Sequence, residues 1–155
     1  MKTPLLLRIA AVITFLYFAG HTSGIPWTPV LGPEQIPVLE AMKRHSFDVE
    51  GFKRTYWDFY LGFGLIISVF TLVQAVVLWQ LGSLAKTDSL RVRPIIASFF
   101  AAFIANAVVA WKYFFAIPVV VTVSISVCLA LAFVMAGRSK ATQEGAPADA
   151  ASLRG

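Results

Sequence analysis

Five residues at the ends of apolar segments or inside them could bind a ligand or transfer a proton. Arg54, Tyr56 and Asp58 lie together where the second apolar segment opens. His21 directly follows the first apolar segment, and Asn106 is the deepest amide in the third. Polar groups at membrane depth are costly to bury unless they are paired, which makes them candidates for function by default. The sequence therefore predicts a ligand-binding site formed by His21, Arg54, Tyr56, Asp58 and Asn106.

Each of these residues also has a structural explanation, which for Tyr56 is an aromatic belt at the membrane interface. Asp58 follows Thr55 by three residues, a spacing that predicts an N-terminal helix cap, and the helix dipole favours a carboxylate there. An ion pair of Asp58 with Arg54 or His21 is a second structural alternative. His21 could instead satisfy the end of the first helix. Asn106 could hydrogen-bond across helices, an interaction worth about 0.6–2 kcal/mol.

The sequence has the residues for one class of reaction and lacks those for several others. An acid–base pair of His21 and Asp58 could serve a membrane enzyme acting on a lipid-like substrate, provided both groups reach one substrate atom. There is no Ser-His-Asp motif and no zinc-ligand spacing, and the single Cys128 excludes a disulfide within one chain. We therefore expect no metal and no cofactor, and we favour binding over catalysis.

The composition predicts that membrane-spanning helices position these residues. Apolar types make up 58% of the 155 residues and charged types only 14%, too few polar side chains to cover a soluble domain. About 20 apolar residues cross a bilayer as a helix. We predict an all-α membrane protein whose partner is the lipid bilayer. A bundle of four transmembrane helices would occupy residues 1–137, with helices at about 4–22, 56–82, 93–114 and 117–137 and a disordered tail at 138–155.

The first apolar segment resembles a cleavable signal peptide, because Lys2 precedes it and the small residues Ala19 and Gly20 end it. Arg8 interrupts its apolar core, however, and no A-x-A cleavage site follows. We therefore expect the segment to be retained as a transmembrane helix.

The loop between the first two helices predicts a short element of its own. Three prolines between residues 24 and 33 exclude regular helix in its first part. From Glu34 to His45, apolar residues at 36, 39 and 42 have helical spacing, and basic residues end the run. We predict a short amphipathic helix in this first extracytoplasmic loop.

The distribution of basic residues predicts the orientation of the chain. If both termini share one side, that side holds eight of the 13 lysines and arginines, and the other side holds five. Positive charge marks the cytoplasmic side, so both termini and the tail should be cytoplasmic. Since topology explains the net charge of +5, we expect no nucleic-acid partner.

Small residues recur at every third or fourth position in three of the predicted helices. They are Gly64, Ser68, Thr71 and Ala75 in the second, Ser98, Ala102, Asn106 and Ala110 in the third, and Ser124, Cys128, Ala132 and Ala136 in the fourth. Such faces let helices approach closely in lipid. We expect them to point inward, and Gly62-x-Gly64 to permit a close helix contact. Contacts in a homo-oligomer or a larger membrane complex are a further alternative, and a small transporter is another.

Two motifs suggest a family. Gly20-His21-Thr22-x-Gly24 follows the first helix, and the run from Tyr56 to Gly64, YWDFYLGFG, opens the second. With these motifs, the chain from about residue 8 to 136 resembles a family of small, uncharacterised bacterial four-helix integral membrane proteins. The resemblance implies bacterial origin and an inner-membrane location, and it implies no mechanism. A small apolar or lipid-like molecule is the ligand we expect at the outer end of the bundle.

Overall fold

The chain folds almost entirely into α-helices, with one short β-hairpin between them. The computed structural model describes residues 2–24 and 32–144, and side chains as far as residue 138. The elements are α1 (Thr3–Gly24), α2 (Gln35–Arg44), β1 (Ser46–Val49), β2 (Phe52–Thr55), α3 (Tyr56–Leu84), α4 (Arg93–Tyr113) and α5 (Ala116–Glu144). Four helices, namely α1, α3, α4 and α5 as far as Arg138, are long and apolar enough to cross a membrane. The predicted all-α fold of a multi-pass membrane protein is confirmed.

The long helices begin and end near their predicted bounds, except at the end of α5. This helix continues to Glu144, because the residues after 137 include lysine, alanine, glutamine and glutamate, which favour helix. Residues 138–144, predicted to be disordered, are therefore helical. The remainder of the predicted tail, 145–155, and the proline-containing segment 25–31 lie outside the described residues.

The loop before α3 contains the predicted short helix as α2, with Pro37 in its first turn, where a missing N–H is tolerated. The β-hairpin that follows is not among the predicted elements. Its strands pair antiparallel with Val49 opposite Phe52, so Glu50 and Gly51 form a two-residue turn. Both turn residues have positive φ, 54° and 84°, as the commonest tight hairpin turn requires.

Two compact units make up the chain. The core unit comprises Met1–Thr14 and Gln74–Gly155, and the hairpin unit comprises Phe15–Val73. In the core unit, α1, α3, α4 and α5 all contribute to one buried apolar cluster. Its members are Leu6, Leu7, Ala10, Ala11, Leu78, Leu81, Ala85, Val92, Ile96, Phe103, Ile125, Leu129 and Ala132. Large apolar side chains also cover the exposed faces of the helices, as expected where lipid is the solvent.

The small-residue faces are buried in α3 but not in α4. Gly64, Ser68, Thr71 and Ala75 are all buried, and in α5 the alanines at 132 and 136 are buried. In α4 the buried residues are Ile96, Phe103 and Ala110, of which Ala110 alone belongs to the predicted face. The predicted inward face of α4 is therefore wrong at its other three positions, Ser98, Ala102 and Asn106, which are exposed. The buried residues of α4 are seven residues apart and so form a narrow stripe along the helix. Ile96 and Phe103 are buried in preference to the alanines because large side chains make more dispersion contacts.

Candidate ligand-binding groove on helix α3

The first turn of α3 is fixed by a reciprocal pair of hydrogen bonds. The backbone N–H of Thr55 donates to Oδ2 of Asp58 at 2.8 Å. In return, the backbone N–H of Asp58 donates to Oγ1 of Thr55 at 3.1 Å. This is the capping arrangement that the Thr55–Asp58 spacing predicts, and it satisfies backbone donors that the helix start leaves free. The cap holds the Asp58 carboxylate at a fixed position on the exposed start of α3.

An aromatic cluster joins the hairpin to the same part of α3. The Phe47 ring centroid lies 5.1 Å from that of Tyr56 and 5.0 Å from that of Phe59. The Phe59 ring in turn meets Phe63 edge-on at 5.8 Å. These separations are typical of favourable aromatic pairs. The hairpin is thereby held against the first two turns of α3.

The end of α2 is also tied to α3. The backbone N–H of Tyr56 donates to the carbonyl of His45 at 3.4 Å. The Lys43 ammonium lies 5.2 Å from the centroid of the Trp57 ring, within range of a cation–π interaction. Contacts from both α2 and the hairpin therefore surround the start of α3.

An open groove of about 260 Å³ runs along α3 next to this cluster. It is lined by Arg54, Asp58, Phe59, Gly62, Phe63 and Ile66. Residues 59, 62, 63 and 66 share one face of the helix because a turn takes 3.6 residues. A Cβ placed on Gly62 would meet nothing within 4 Å. Of the Gly62-x-Gly64 pair predicted to permit a close helix contact, Gly62 instead opens the floor of the groove, whereas Gly64 is buried.

Opposite charges stand at one end of the groove and apolar side chains at the other. The guanidinium of Arg54 lies 5.8 Å from the Phe52 ring centroid, and its Nη1 donates to the Lys53 carbonyl at 2.8 Å. Asp58 contributes the carboxylate, and Phe63 and Ile66 form the apolar end. The groove can therefore accept an amphipathic molecule with its polar group beside Arg54 and Asp58.

His21 lies on a different face of α3. Its Nε2 is 3.0 Å from the carbonyl oxygen of Gly64, and since a carbonyl only accepts, Nε2 carries the proton. Thr22 donates to the Ser68 hydroxyl at 2.9 Å, and Ser68 donates to the same Gly64 carbonyl at 3.2 Å. At 100° per residue, Gly64 and Ser68 face away from Gly62 and Ile66. The polar cluster of His21, Thr22 and Ser68 ties α1 to α3 behind the groove.

The geometry separates His21 from Asp58. Gly64, which the histidine contacts, follows Asp58 by six residues, or about 9 Å along the helix axis. A general acid and a general base must each come within hydrogen-bonding reach of the substrate. Both side chains already make structural hydrogen bonds. Among residues 2–24 and 32–144, no group of three or more His, Cys, Asp or Glu could hold a metal ion.

The structure brings together two of the five predicted site residues. Arg54 and Asp58 border the groove, and Tyr56 lies beside them in the aromatic cluster. His21 contacts the other side of α3, and Asn106 belongs to the core unit. The sequence analysis missed the groove lining, Phe59, Gly62, Phe63 and Ile66. Their helical spacing around a glycine was the available signal.

Comparison with known protein families, with curated proteins and with solved structures finds no match to this chain. The resemblance based on the motifs after α1 and at the start of α3 therefore stays a prediction. The geometry of the site is therefore the basis for inferring its function.

Proposed function

We propose that this multi-pass membrane protein binds an amphipathic, lipid-like molecule in the groove on α3. The observation that carries the proposal is the lining, which joins an apolar floor to one cation and one anion, Arg54 and Asp58. Binding sites for small molecules have this composition, mostly apolar with few polar groups that fix orientation. The ligand's polar group would lie at the hairpin end, and its apolar part along Phe63 and Ile66.

The size of the groove limits what it can hold. Pockets that enclose whole ligands measure about 300–1,000 Å³, whereas this open groove measures about 260 Å³. Part of a molecule fits, such as a segment of one acyl chain or a small ring system. The rest of the ligand would stay in the bilayer, which suits a lipid-like molecule better than a water-soluble one.

Binding suits the site better than catalysis does. The rise of about 9 Å between Asp58 and the residue that His21 contacts argues against one substrate atom touching both side chains. The distribution of basic residues favours cytoplasmic termini, so the groove would open on the extracytoplasmic side. A bacterial inner membrane is the setting that the family resemblance implies.

The test is photo-crosslinking of the full-length protein, reconstituted in lipid nanodiscs, with a diazirine-bearing fatty acid. Labelled peptides are mapped by mass spectrometry. Wild type should be labelled in the segment from Arg54 to Ile66. Gly62→Leu places a side chain in the groove, and its Cβ enters open space, so it should remove most of that labelling while the protein stays folded.

Gly20→Leu is the matched control, since Gly20 is also helical with nothing within 4 Å of an added Cβ, and it lies outside the groove. Labelling of the 54–66 segment should survive in that variant. If Gly62→Leu and Gly20→Leu are labelled alike in this segment, the groove is not the binding site.

A further inference from the structure

Arg8 sits inside a membrane-spanning helix with a buried donor that lacks an acceptor. Its side chain packs against Gly82 of α3, where an added Cβ would come within 3.1 Å of Arg8 Cγ. Its guanidinium carbon lies 5.0 Å from the centroid of the Trp79 ring. Within the described part of the chain, its buried Nε has no hydrogen-bond partner. A buried donor in this position calls for an acceptor.

Arg93, at the start of α4, repeats the arrangement against α5. A Cβ added to Gly137 would lie 3.2 Å from Arg93 Cζ. The guanidinium carbon lies 4.1 Å from the centroid of the Phe133 ring. Its Nε is likewise buried without a partner among the described residues.

Both arginines therefore use a glycine on the neighbouring helix and an aromatic ring about one turn before that glycine. They also lie at the same end of the core unit, because Arg8 contacts the last turns of α3 and the connection from Ala85 to Val92 leads directly to Arg93. Among the side chains described in that unit, Asp88 is the only acid, and its Oδ1 accepts a hydrogen bond from the Arg91 backbone. No described carboxylate is thus paired with either guanidinium.

We propose that Arg8 and Arg93 bind the phosphate groups of anionic lipids at this end of the core unit. A guanidinium presents donors in a planar fork that matches phosphate oxygens. The chain places Arg8 five residues into α1, or about 7–8 Å from the helix start. With the start of α1 at the membrane surface, that distance would place Arg8 at the boundary between headgroups and hydrocarbon.

The surroundings favour a lipid over a free anion. The Trp79 ring, which the Arg8 guanidinium contacts, is 48% exposed. It therefore also faces the lipid side of the helix. Each arginine lies against an aromatic ring of a spanning helix, Trp79 or Phe133, beside which an acyl chain can follow the phosphate. Basic pockets between helices on the cytoplasmic side commonly bind acidic headgroups, and charge distribution assigns this end to the cytoplasm.

The experiment measures thermal unfolding of the full-length protein in detergent micelles doped with one lipid at a time. Phosphatidylglycerol should raise the Tm of wild type more than phosphatidylcholine does, because a ligand that binds only the folded state stabilises it. Arg8→Gln and Arg93→Gln should each lose roughly half of that difference or more. Lys86→Gln and Arg91→Gln remove exposed charges near the same end and should keep it.

Gly137→Ala tests the same site without removing any charge. The added methyl group displaces the flexible Arg93 guanidinium, so this variant should also lose part of the phosphatidylglycerol effect, whereas Gly62→Ala should not. An equal loss in Lys86→Gln and Arg8→Gln would show diffuse attraction and overturn the proposal. So would a Tm increase from inorganic phosphate alone that matches the increase from phosphatidylglycerol, since the ligand would then not be a lipid.

Discussion

The core unit and the hairpin unit bury different kinds of side chain. The core unit buries leucines, isoleucines and a phenylalanine from all four spanning helices. In the described part of the hairpin unit, the buried residues are Gly64, Ser68 and Thr71, which are small or polar. Hydrogen bonds and aromatic contacts, not apolar burial, hold that unit together.

This difference suggests that the stability of the fold depends on the core unit, whereas ligand binding depends on the hairpin unit. Large side chains that interlock lose many contacts when one is truncated. A region with few buried apolar contacts opens more readily, and binding surfaces are commonly drawn from such regions. We infer that the core unit holds the fold and that the hairpin unit can change its groove at little cost in stability.

The largest expected effect is in the core unit. Leu129 is 0% exposed, whereas Leu131 on the same helix is 48% exposed. Leu129→Ala should lower the free energy of unfolding by about 2 kcal/mol, at the low end for buried leucines because lipid solvates leucine well. Leu131→Ala should change it little. Chemical or thermal unfolding measures both, and equal losses would contradict the described core.

The second prediction compares glycine-to-alanine changes in the two units. At Gly82 an added Cβ would lie 3.2 Å from the carbonyl oxygen of Pro4, backbone that cannot easily move, so Gly82→Ala should destabilise by about 1–2 kcal/mol. Gly62→Ala enters open space and should stabilise α3 by about 0.5–1 kcal/mol. Tm measurements on the two variants should therefore shift in opposite directions, and shifts of the same sign would refute the comparison.

A third prediction concerns the tie between α1 and α3. His21→Ala removes the hydrogen bond to the Gly64 carbonyl and should cost about 1 kcal/mol, the usual size of an interhelical hydrogen bond in membranes. The His45 side chain bonds to the Ala41 carbonyl within its own helix end, and the backbone bond from Tyr56 to His45 survives the substitution, so His45→Ala should cost less. An unchanged unfolding free energy in His21→Ala would mean that the polar cluster contributes no stability.

The smallest expected effect on overall stability is at the hairpin turn. Gly51 has φ of 84°, so Gly51→Ala strains the turn locally by about 1 kcal/mol. Hydrogen exchange should quicken in β1 and β2, while exchange in the core unit and the Tm stay as in wild type. Faster exchange in α4 or α5 would show that the hairpin supports more of the fold than its contacts indicate.

Much of the fold could be predicted because long apolar runs determine spanning helices almost by themselves. The cap at Thr55 and Asp58 was equally readable, since it depends on a three-residue spacing. The hairpin was missed because its signal is weak: Ser46–Val49 alternates between polar and apolar residues, but Phe52–Thr55 has only one apolar residue, and Glu50-Gly51 is not one of the usual hairpin dipeptides. Four residues per strand gave too short a pattern to stand out beside the long helices.

The inward face of α4 could not be predicted from residue size alone. Small residues permit a close approach between helices. Whether Ile96 and Phe103 or the alanines become buried depends on the side chains of the neighbouring helices. The candidate site was predictable only in part for a similar reason. The prediction grouped His21 with Asp58 because both lie at the same expected depth in the membrane. Whether a residue lines the groove depends instead on which side of α3 it faces.

The most direct test of the separation between fold and binding measures Tm and fatty-acid labelling of residues 54–66 on the same preparations of Leu129→Ala and Gly62→Leu. We expect a lowered Tm with labelling retained in Leu129→Ala, and an unchanged or raised Tm with labelling lost in Gly62→Leu. If each variant instead changes both properties together, the two units do not divide stability and binding between them.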